Sequence, residues 1–177
     1  STGAVPLGVE RTMTWDQSGY GAHGEKATPG TALTWYFAEG SEQAFFDTYV
    51  LLANPQPTAN RATVQFLVEG GSPVTKVYDL LPTSRTNVFA EIVEDPPGTR
   101  ALLGKAFGIV VTFDQPGVAE RAMYFGAAPF WNGGHESAGV NAPSTNWFHA
   151  EGATGTFFDT YLLLSNPNST PATVTLR

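Results

Sequence analysis

Two stretches of this chain are almost the same. FFDTYVLLANP at residues 45–55 returns as FFDTYLLLSNP at 157–167, with nine of eleven positions identical. WYFAEG at 35–40 returns as WFHAEG 112 positions later, and VERTM at 9–13 returns as AERAM 110 positions later. The motifs keep their order in both copies. They therefore predict a tandem repeat of about 112 residues.

The repeat divides the chain into three parts. We expect residues 1–34 to be the C-terminal tail of a preceding repeat, 35–146 to be one full repeat, and 147–177 to be the N-terminal part of a following one. On this interpretation the chain is a segment of a longer protein. Neither end is long enough to bury a core alone. We therefore expect the ends to pair as strands with neighbouring repeats of the same protein or with other copies of it.

Within the full repeat, apolar residues recur with a period of two. RATVQFLV at 61–68 alternates, which places Ala62, Val64, Phe66 and Val68 on one face. About seven such runs, separated by turn-forming stretches such as DQPG, predict an all-β fold, and we expect an immunoglobulin-like antiparallel β-sandwich. A β-propeller is the alternative, but its blades repeat at about 40–50 residues. The stretch 126–145 is rich in Gly, Asn and Ser and is predicted as a loop.

Composition excludes several classes of function. The chain has 9 Lys and Arg against 16 Asp and Glu, a net charge of −7, without a basic cluster, so nucleic acid is not an expected partner. It contains no cysteine, which excludes disulfides and thiolate metal sites. No apolar run approaches the roughly 18 residues of a membrane span, so membrane insertion is not expected.

The motifs WYFAEG, FFDTYVLLANP, AERAMYF and GGHESAGV together resemble a family of tandem β-sandwich repeats in bacterial cell-surface and secreted proteins. The resemblance covers the whole chain and is weakest near its start, where TMTWDQSGYGAHGEK replaces AMYFGAAPFWNGGHES. It implies an extracellular or cell-surface location in a bacterium. It carries over no catalytic residue.

Paired carboxylates recur in both copies of the repeat. Glu39 and Asp47 return as Glu151 and Asp159 around a Gly-containing loop. Such a pair could contribute to a Ca²⁺ site, which needs six to eight oxygen ligands. The first loop adds Glu42, but the second loop, GATGTFF, has no acid. A structural role in turn hydrogen bonds or an ion pair with Arg is therefore favoured, and no metal site is predicted.

Two arginines follow glutamates within apolar strands. Glu120 and Arg121 are adjacent and must face opposite sides of a strand, so whichever points inward needs a buried partner. The repeated acids can supply it. We therefore predict a structural polar cluster drawn from Glu39, Asp47, Arg121, Glu151, Asp159 and Arg11.

One histidine recurs in each copy. His23 and His135 lie in the Gly-rich stretches GAHGE and GGHES, which we interpret as loops. Ser137 lies two positions after His135, but no serine stands at the matching distance from His23. A catalytic pair or a zinc site is therefore not favoured. We instead expect each histidine to form hydrogen bonds with the loop backbone or with a neighbouring unit. No enzyme activity and no cofactor are predicted.

Aromatic residues collect before the second histidine. Tyr124, Phe130 and Trp131, together with His135, form a candidate ligand-binding surface that could stack on sugar rings. The alternative is that these side chains pack between successive units.

Two functions remain open on the sequence. The first is a non-catalytic extracellular structural or adhesive module that spaces or assembles domains at a bacterial surface. The second is a glycan-binding module that uses the aromatic residues of the Gly-rich segment.

Overall fold

A computed structural model describes residues 5–15, 21–127 and 130–177, with the side chains of Ala127 and Phe130 excepted. These residues form nine strands and one short 3-10 helix. The strands are β1 (Glu10–Trp15), β2 (Gly21–Lys26), β3 (Ala32–Phe37), β4 (Phe46–Asn54), β5 (Asn60–Val68), β6 (Val74–Leu80), β7 (Ser84–Phe89), β8 (Phe107–Ala127) and β9 (Phe130–Ala138), and the 3-10 helix is Ala90–Ile92. In this described part of the chain, no helix has the length and apolarity that a membrane crossing needs.

The long strand β8 organises the fold. Its first half pairs with β5 and β3, and its second half pairs with β4 and β9, all antiparallel. One half of the fold has the strand order β6–β5–β8–β3, and the other has β7–β4–β8–β9. The predicted all-β antiparallel class is confirmed. Its immunoglobulin-like type stays a prediction.

The turn predicted at DQPG is wrong, because β8 runs through residues 114–117 without interruption. Pro116 has no N–H to donate, so regular pairing is interrupted here. Side-chain amides replace the missing strand partners. Asn60 accepts from the Gln115 N–H at 3.0 Å and donates to the Gln115 carbonyl at 2.7 Å, and Gln56 donates to the Pro116 carbonyl at 2.8 Å. The stretch carries one strand from the first half of the fold to the second.

The core lies on the inner face of both halves. Ala62, Val64 and Phe66 of β5 are fully buried, and Val68 packs against the core at its edge, as the alternation in β5 predicts. Each of the valine and phenylalanine side chains among them contributes about 1.5–3 kcal/mol on full burial. Trp35, Ile109, Val111 and Phe113 of the first half, together with Val50, Leu52 and Val88 of the second half, complete the same core.

Two hairpins of the chain share one register. In the β1–β2 hairpin Met13 lies opposite His23, and in the β8–β9 hairpin Met123 lies opposite His135. The stretches GAHGEK and GGHESA, interpreted above as loops, are therefore the strands β2 and β9. The predicted loop at 126–145 is likewise wrong over the length of β9.

Glycine is required in these strands because an aromatic ring lies over it. A Cβ at Gly133 would come 2.4 Å from the ring of Phe125, its cross-strand partner. A Cβ at Gly21 would come 2.0 Å from the ring of Trp15, again its cross-strand partner. Covering of glycine by a cross-strand aromatic offsets the low strand propensity that made these segments read as loops.

The ends of the chain differ from the body. β3 begins at Ala32, so the predicted boundary between residues 34 and 35 falls inside a strand. Residues 141–177 contain no helix or strand. In 147–177 every residue except Ser165 and Pro167 is exposed, including the apolar side chains of Phe148, Phe157, Phe158, Tyr161 and Leu164.

Candidate functional site

The β1–β2 hairpin, which we call the docked hairpin, lies against the second half of the fold with β2 next to β9. Arg11, Met13 and Trp15 share one face of β1, and their cross-strand partners on β2 include His23. Arg11, Trp15 and His23 from this face make the contacts to β8 and β9 described below. The site is therefore the interface between the docked hairpin and the β8–β9 hairpin, which share one register.

Arg11 connects the hairpin to two glutamates of the sheet. Its Nη1 lies 3.1 Å from Oε2 of Glu120, and its Nη2 forms an ion pair with Glu136. Partial burial alone would lower the pKa of Arg11, but the two carboxylates together raise it. Glu136 itself is buried, so its charge has to be compensated by this arginine.

Glu136 also contacts a histidine of the hairpin. His23 Nδ1 lies 3.1 Å from Glu136 Oε2, and the two side chains are 3% and 1% exposed. Burial raises the pKa of Glu136 to about 7, with a hydrogen bond from the protonated Glu136 to Glu120 adding to the effect and Arg11 opposing it. Burial, followed by the charge of Arg11, lowers the pKa of His23. The histidine is thus held neutral beside a carboxyl group that takes up a proton near neutral pH.

An aromatic cluster lies beside these charges. The ring of Trp15 meets Tyr124 edge-on with centroids 5.4 Å apart, and Tyr124 lies 5.2 Å from Trp131. The Trp15 indole N–H donates to the Trp131 carbonyl at 2.9 Å, and the Trp131 indole N–H donates to the Asp47 carboxylate. Tyr124 and Trp131, two of the predicted ligand-binding residues, thus contact one another and the docked hairpin. The side chain of Phe130, a third, lies outside the described residues.

A second arginine, Arg121, occupies the equivalent position in β8 and is buried. Arg121 Nη1 donates to Oε2 of Glu39 at 2.9 Å and to the Glu39 carbonyl at 3.0 Å. Its Nη2 donates to His135 Nδ1 at 2.9 Å, which requires the proton of His135 to be on Nε2. Burial lowers the pKa of Arg121, and burial and then Arg121 lower the pKa of His135. Arg121, Glu39 and His135 therefore form one compact group that orients the start of the loop before β4.

The predicted carboxylate pair does not meet as a pair. Glu39 contacts Arg121, whereas Asp47 lies with Glu42 and Glu91, whose carboxylate oxygens all approach within 4.8 Å. Burial, and then the nearby Asp47 and Glu91 charges, raise the pKa of Glu42 to about 8, against a hydrogen bond from the Thr48 N–H. Among the described residues, the carboxylates of Glu42, Asp47 and Glu91 are the group that could hold a cation. At neutral pH, the site instead favours a protonated Glu42.

The remaining predicted residues lie at the two ends or carry no reactive contact. Glu151 and Asp159 are exposed in the C-terminal segment. Arg11 pairs with Glu120 and Glu136, not with a repeated acid of the AEG or FDTY motif. Ser137 donates its hydroxyl hydrogen bond to the Ala138 carbonyl at 3.2 Å.

Sequence reasoning missed three residues of the interface: Trp15, Glu120 as a partner of Arg11, and Glu136. Trp15 stands where the second copy has Phe125, so the repeat itself marked it as part of the hairpin. Glu136 has Gly24 at the matching position, and this difference between copies was the available signal for a contact that only one of them makes.

Comparisons with known proteins bear on the fold of this chain and give no information about the site. No protein-family description matches the chain. No curated protein matches it. The crystal structure of Thermotoga maritima 1070 is similar in fold, with a TM-score of 0.53 and 15% identity over 64% of this chain and 96% of that one. The Anabaena sensory rhodopsin transducer gives a TM-score of 0.46 and 16% identity over 54% of this chain and 99% of that one.

Proposed function

We propose that the chain is a non-catalytic structural repeat module of a bacterial extracellular or cell-surface protein, which spaces or assembles neighbouring domains. The observation that carries the proposal is the docked hairpin. It has the register of the β8–β9 hairpin and lies against that very hairpin through Arg11, His23 and Trp15. A contact between two copies of one motif is what fixes the spacing of units in a repeat array.

The charges of the interface support a structural role. Arg11 of the docked hairpin pairs with Glu120 and with the buried Glu136, so the buried carboxylate has its counter-charge across the interface. Buried pairs of this kind contribute little net stability but penalise any arrangement that separates them. They therefore specify one geometry between neighbouring hairpins. The bacterial and extracellular setting rests on the motif resemblance given above.

The glycan-binding alternative draws on the same side chains. A sugar stacking on Tyr124 would have to displace Trp15, and the Trp131 indole N–H is already donated to Asp47. These contacts support packing over ligand binding. A panel of cell-wall and environmental glycans tests the alternative directly, since saturable binding that Trp131→Ala abolishes would favour it.

Hydrogen exchange of the intact chain tests the structural role. A lone two-stranded hairpin is at best marginally stable in water and would not protect its amides from exchange. We therefore expect the amides of β1 and β2 to be protected only if the hairpin is docked. Arg11→Ala should remove this protection and leave that of β5 unchanged. A hairpin that exchanges freely in the unsubstituted chain would contradict the proposed role.

A further inference from the structure

In the part of the chain that the structure describes, one edge of the docked hairpin has no strand beside it. Among the described residues, β1 pairs with β2 alone, whereas its counterpart in β8, residues 118–125, has β9 on one side and β4 on the other. The consequence is visible in burial. Met123 is 0% exposed and Met13, its counterpart, is 44% exposed. Exposed strand edges of this kind are templates for a further strand.

The C-terminal segment carries a second copy of the strand that this edge lacks. Residues 158–165 repeat residues 46–53 of β4, which cover the corresponding edge of β8. In β4, Val50 and Leu52 are fully buried, whereas their counterparts Leu162 and Leu164 are 41% and 61% exposed. The segment thus presents the apolar face of a strand without a sheet to receive it.

The flanks of this segment already have the local conformation of β4. The Thr48 hydroxyl accepts from the Ser41 N–H at 2.9 Å, and the Thr160 hydroxyl accepts from the Ala153 N–H at 2.9 Å. At the other end, Asn54 donates to the Thr58 carbonyl at 2.9 Å. There, too, the second copy agrees, since Asn166 donates to the Thr170 carbonyl at 2.7 Å. Both turns that bound the strand are therefore preformed, which lowers the conformational cost of adding it to a sheet.

We propose that the open edge of β1 binds residues 158–165 of a second copy of this chain as an antiparallel strand. This rests on the proposed function, because it treats the two copies of the strand as interchangeable parts of a repeat. The β4–β8 ladder supplies the register, with Val50 opposite Arg121, Leu52 opposite Ala119 and Thr48 opposite Met123.

Transfer of that ladder gives the register of the new pairing. The counterparts place Leu162 opposite Arg11, Leu164 opposite Val9 and Thr160 opposite Met13. Val9 is 57% exposed where its counterpart Ala119 is fully buried, so the incoming leucine would cover it.

A second copy fits better than the chain's own segment. Ser165 lies against Gly108, because a Cβ at Gly108 would come 2.3 Å from its hydroxyl oxygen. The docked hairpin contacts β8 at Glu120, twelve residues further on, which is about 40 Å along an extended strand. The donor segment and the acceptor hairpin thus contact different halves of β8. Pairing between copies is head-to-tail and leaves one free edge and one free segment at the ends of every open assembly.

Cross-linking of the full chain tests the register, and the absence of native cysteine makes it specific. Val9→Cys and Leu164→Cys chains are mixed and oxidised mildly. We expect disulfide-linked dimers in which positions 9 and 164 are joined, because directly opposed strand residues have the Cβ separation that a disulfide needs. The matched control mixes Glu10→Cys with Leu164→Cys. A shift of one residue puts the two sulfurs on opposite faces, so at least about fivefold less dimer should form.

Three results would overturn the proposal: no dimer, equal yields with the shifted control, or a linked monomer when both substitutions are in one dilute chain. The last would assign the edge to the chain's own segment. Protection of the β1 and β2 amides from hydrogen exchange measures the docking of the hairpin within one chain. It can therefore succeed when cross-linking fails, which separates failure of this proposal from failure of the proposed function.

Discussion

His23 and Glu136 meet across the boundary between the docked hairpin and the sheet. Their Nδ1 and Oε2 atoms are 3.1 Å apart, and both side chains are almost wholly buried. Burial raises the pKa of Glu136 to about 7 and lowers the pKa of His23. Docking of the hairpin therefore depends on pH in two opposite ways, since Glu136 favours docking at low pH and His23 favours it at higher pH.

Glu136→Gln should remove one of these two dependences. A carboxyl group whose pKa rises from 4.5 to about 7 on folding stabilises the docked form most below pH 4.5, and this contribution is lost as pH rises through 7. His23 acts oppositely, because its lowered pKa makes docking less favourable as pH falls below 6.5. The variant should therefore show only a rise in hairpin stability with pH.

Hydrogen exchange at β2 amides, corrected for the intrinsic pH dependence of exchange, measures this effect between pH 4.5 and 7. Glu69→Gln, which changes an exposed carboxyl group, is the matched control and should behave as the unsubstituted chain. An identical pH profile for Glu136→Gln and the unsubstituted chain would contradict the assignment.

Glu42→Gln should stabilise the protein at neutral pH. Burial, together with Asp47 and Glu91, raises the pKa of Glu42 to about 8, so the folded state resists an ionisation that occurs freely in the unfolded chain. Stability is full below pH 4.5 and declines as pH rises through 8. An amide accepts the same hydrogen bond from Thr48 without this penalty. We expect a gain of about 1–3 kcal/mol at pH 7 and none at pH 4.

Denaturant unfolding at the two pH values measures the gain. A loss of stability at both would show that the carboxyl group itself is needed. Added Ca²⁺ should leave the unfolding midpoint of the unsubstituted chain unchanged. A calcium-dependent rise that Glu42→Gln abolishes would identify a cation site at Glu42, Asp47 and Glu91.

Trp15→Ala should release the docked hairpin. The substitution removes the edge-on contact with Tyr124 and the hydrogen bond to the Trp131 carbonyl, and it uncovers Gly21. We expect docking to lose about 2–4 kcal/mol, as for other large-to-small changes of a packed tryptophan. Proteolysis between β1 and β2 should accelerate accordingly. Trp147→Ala, at a position 57% exposed, is the matched control and should leave the rate unchanged.

Arg121→Ala should destabilise the body of the fold. Arg121 is 6% exposed and pairs with Glu39, so truncation leaves a partly buried carboxylate without its counter-charge. We expect a loss of about 3 kcal/mol in the free energy of unfolding. Arg61→Ala removes a pair with Asp79 on the surface and should leave the denaturant midpoint where it was. Equal effects of the two substitutions would show that burial of the Arg121 pair is unimportant.

Local pattern predicted those parts of the fold that depend on neighbouring residues. The alternation of β5 predicted its buried face because each side chain there meets the core directly. The path of β8 could not be predicted in this way. Its continuity through Pro116 depends on side-chain amides of Asn60 and Gln56, which are some sixty residues distant in the sequence. Strand β9 was missed because its glycines need the ring of Phe125, a tertiary contact, to be stable in a strand.

The site was only partly predictable for the same reason. The sequence predicted that whichever of Glu120 and Arg121 points inward needs a buried partner, and the structure buries Arg121 and places Glu39 beside it. The partners of Arg11 did not follow, because Glu120 and Glu136 belong to the next hairpin and only the docking of two hairpins brings them together.

The shared strand β8 also has a consequence for synthesis on the ribosome. β8 lies between β5 and β3 in one half of the fold and between β4 and β9 in the other, so neither half can close before it emerges. Until then the nascent chain holds β3 to β7, with Trp35 and Phe66, without a central strand to cover them. Such exposed apolar strands are prone to aggregate. Both halves of the fold therefore close only after β8, up to residue 127, has left the exit tunnel.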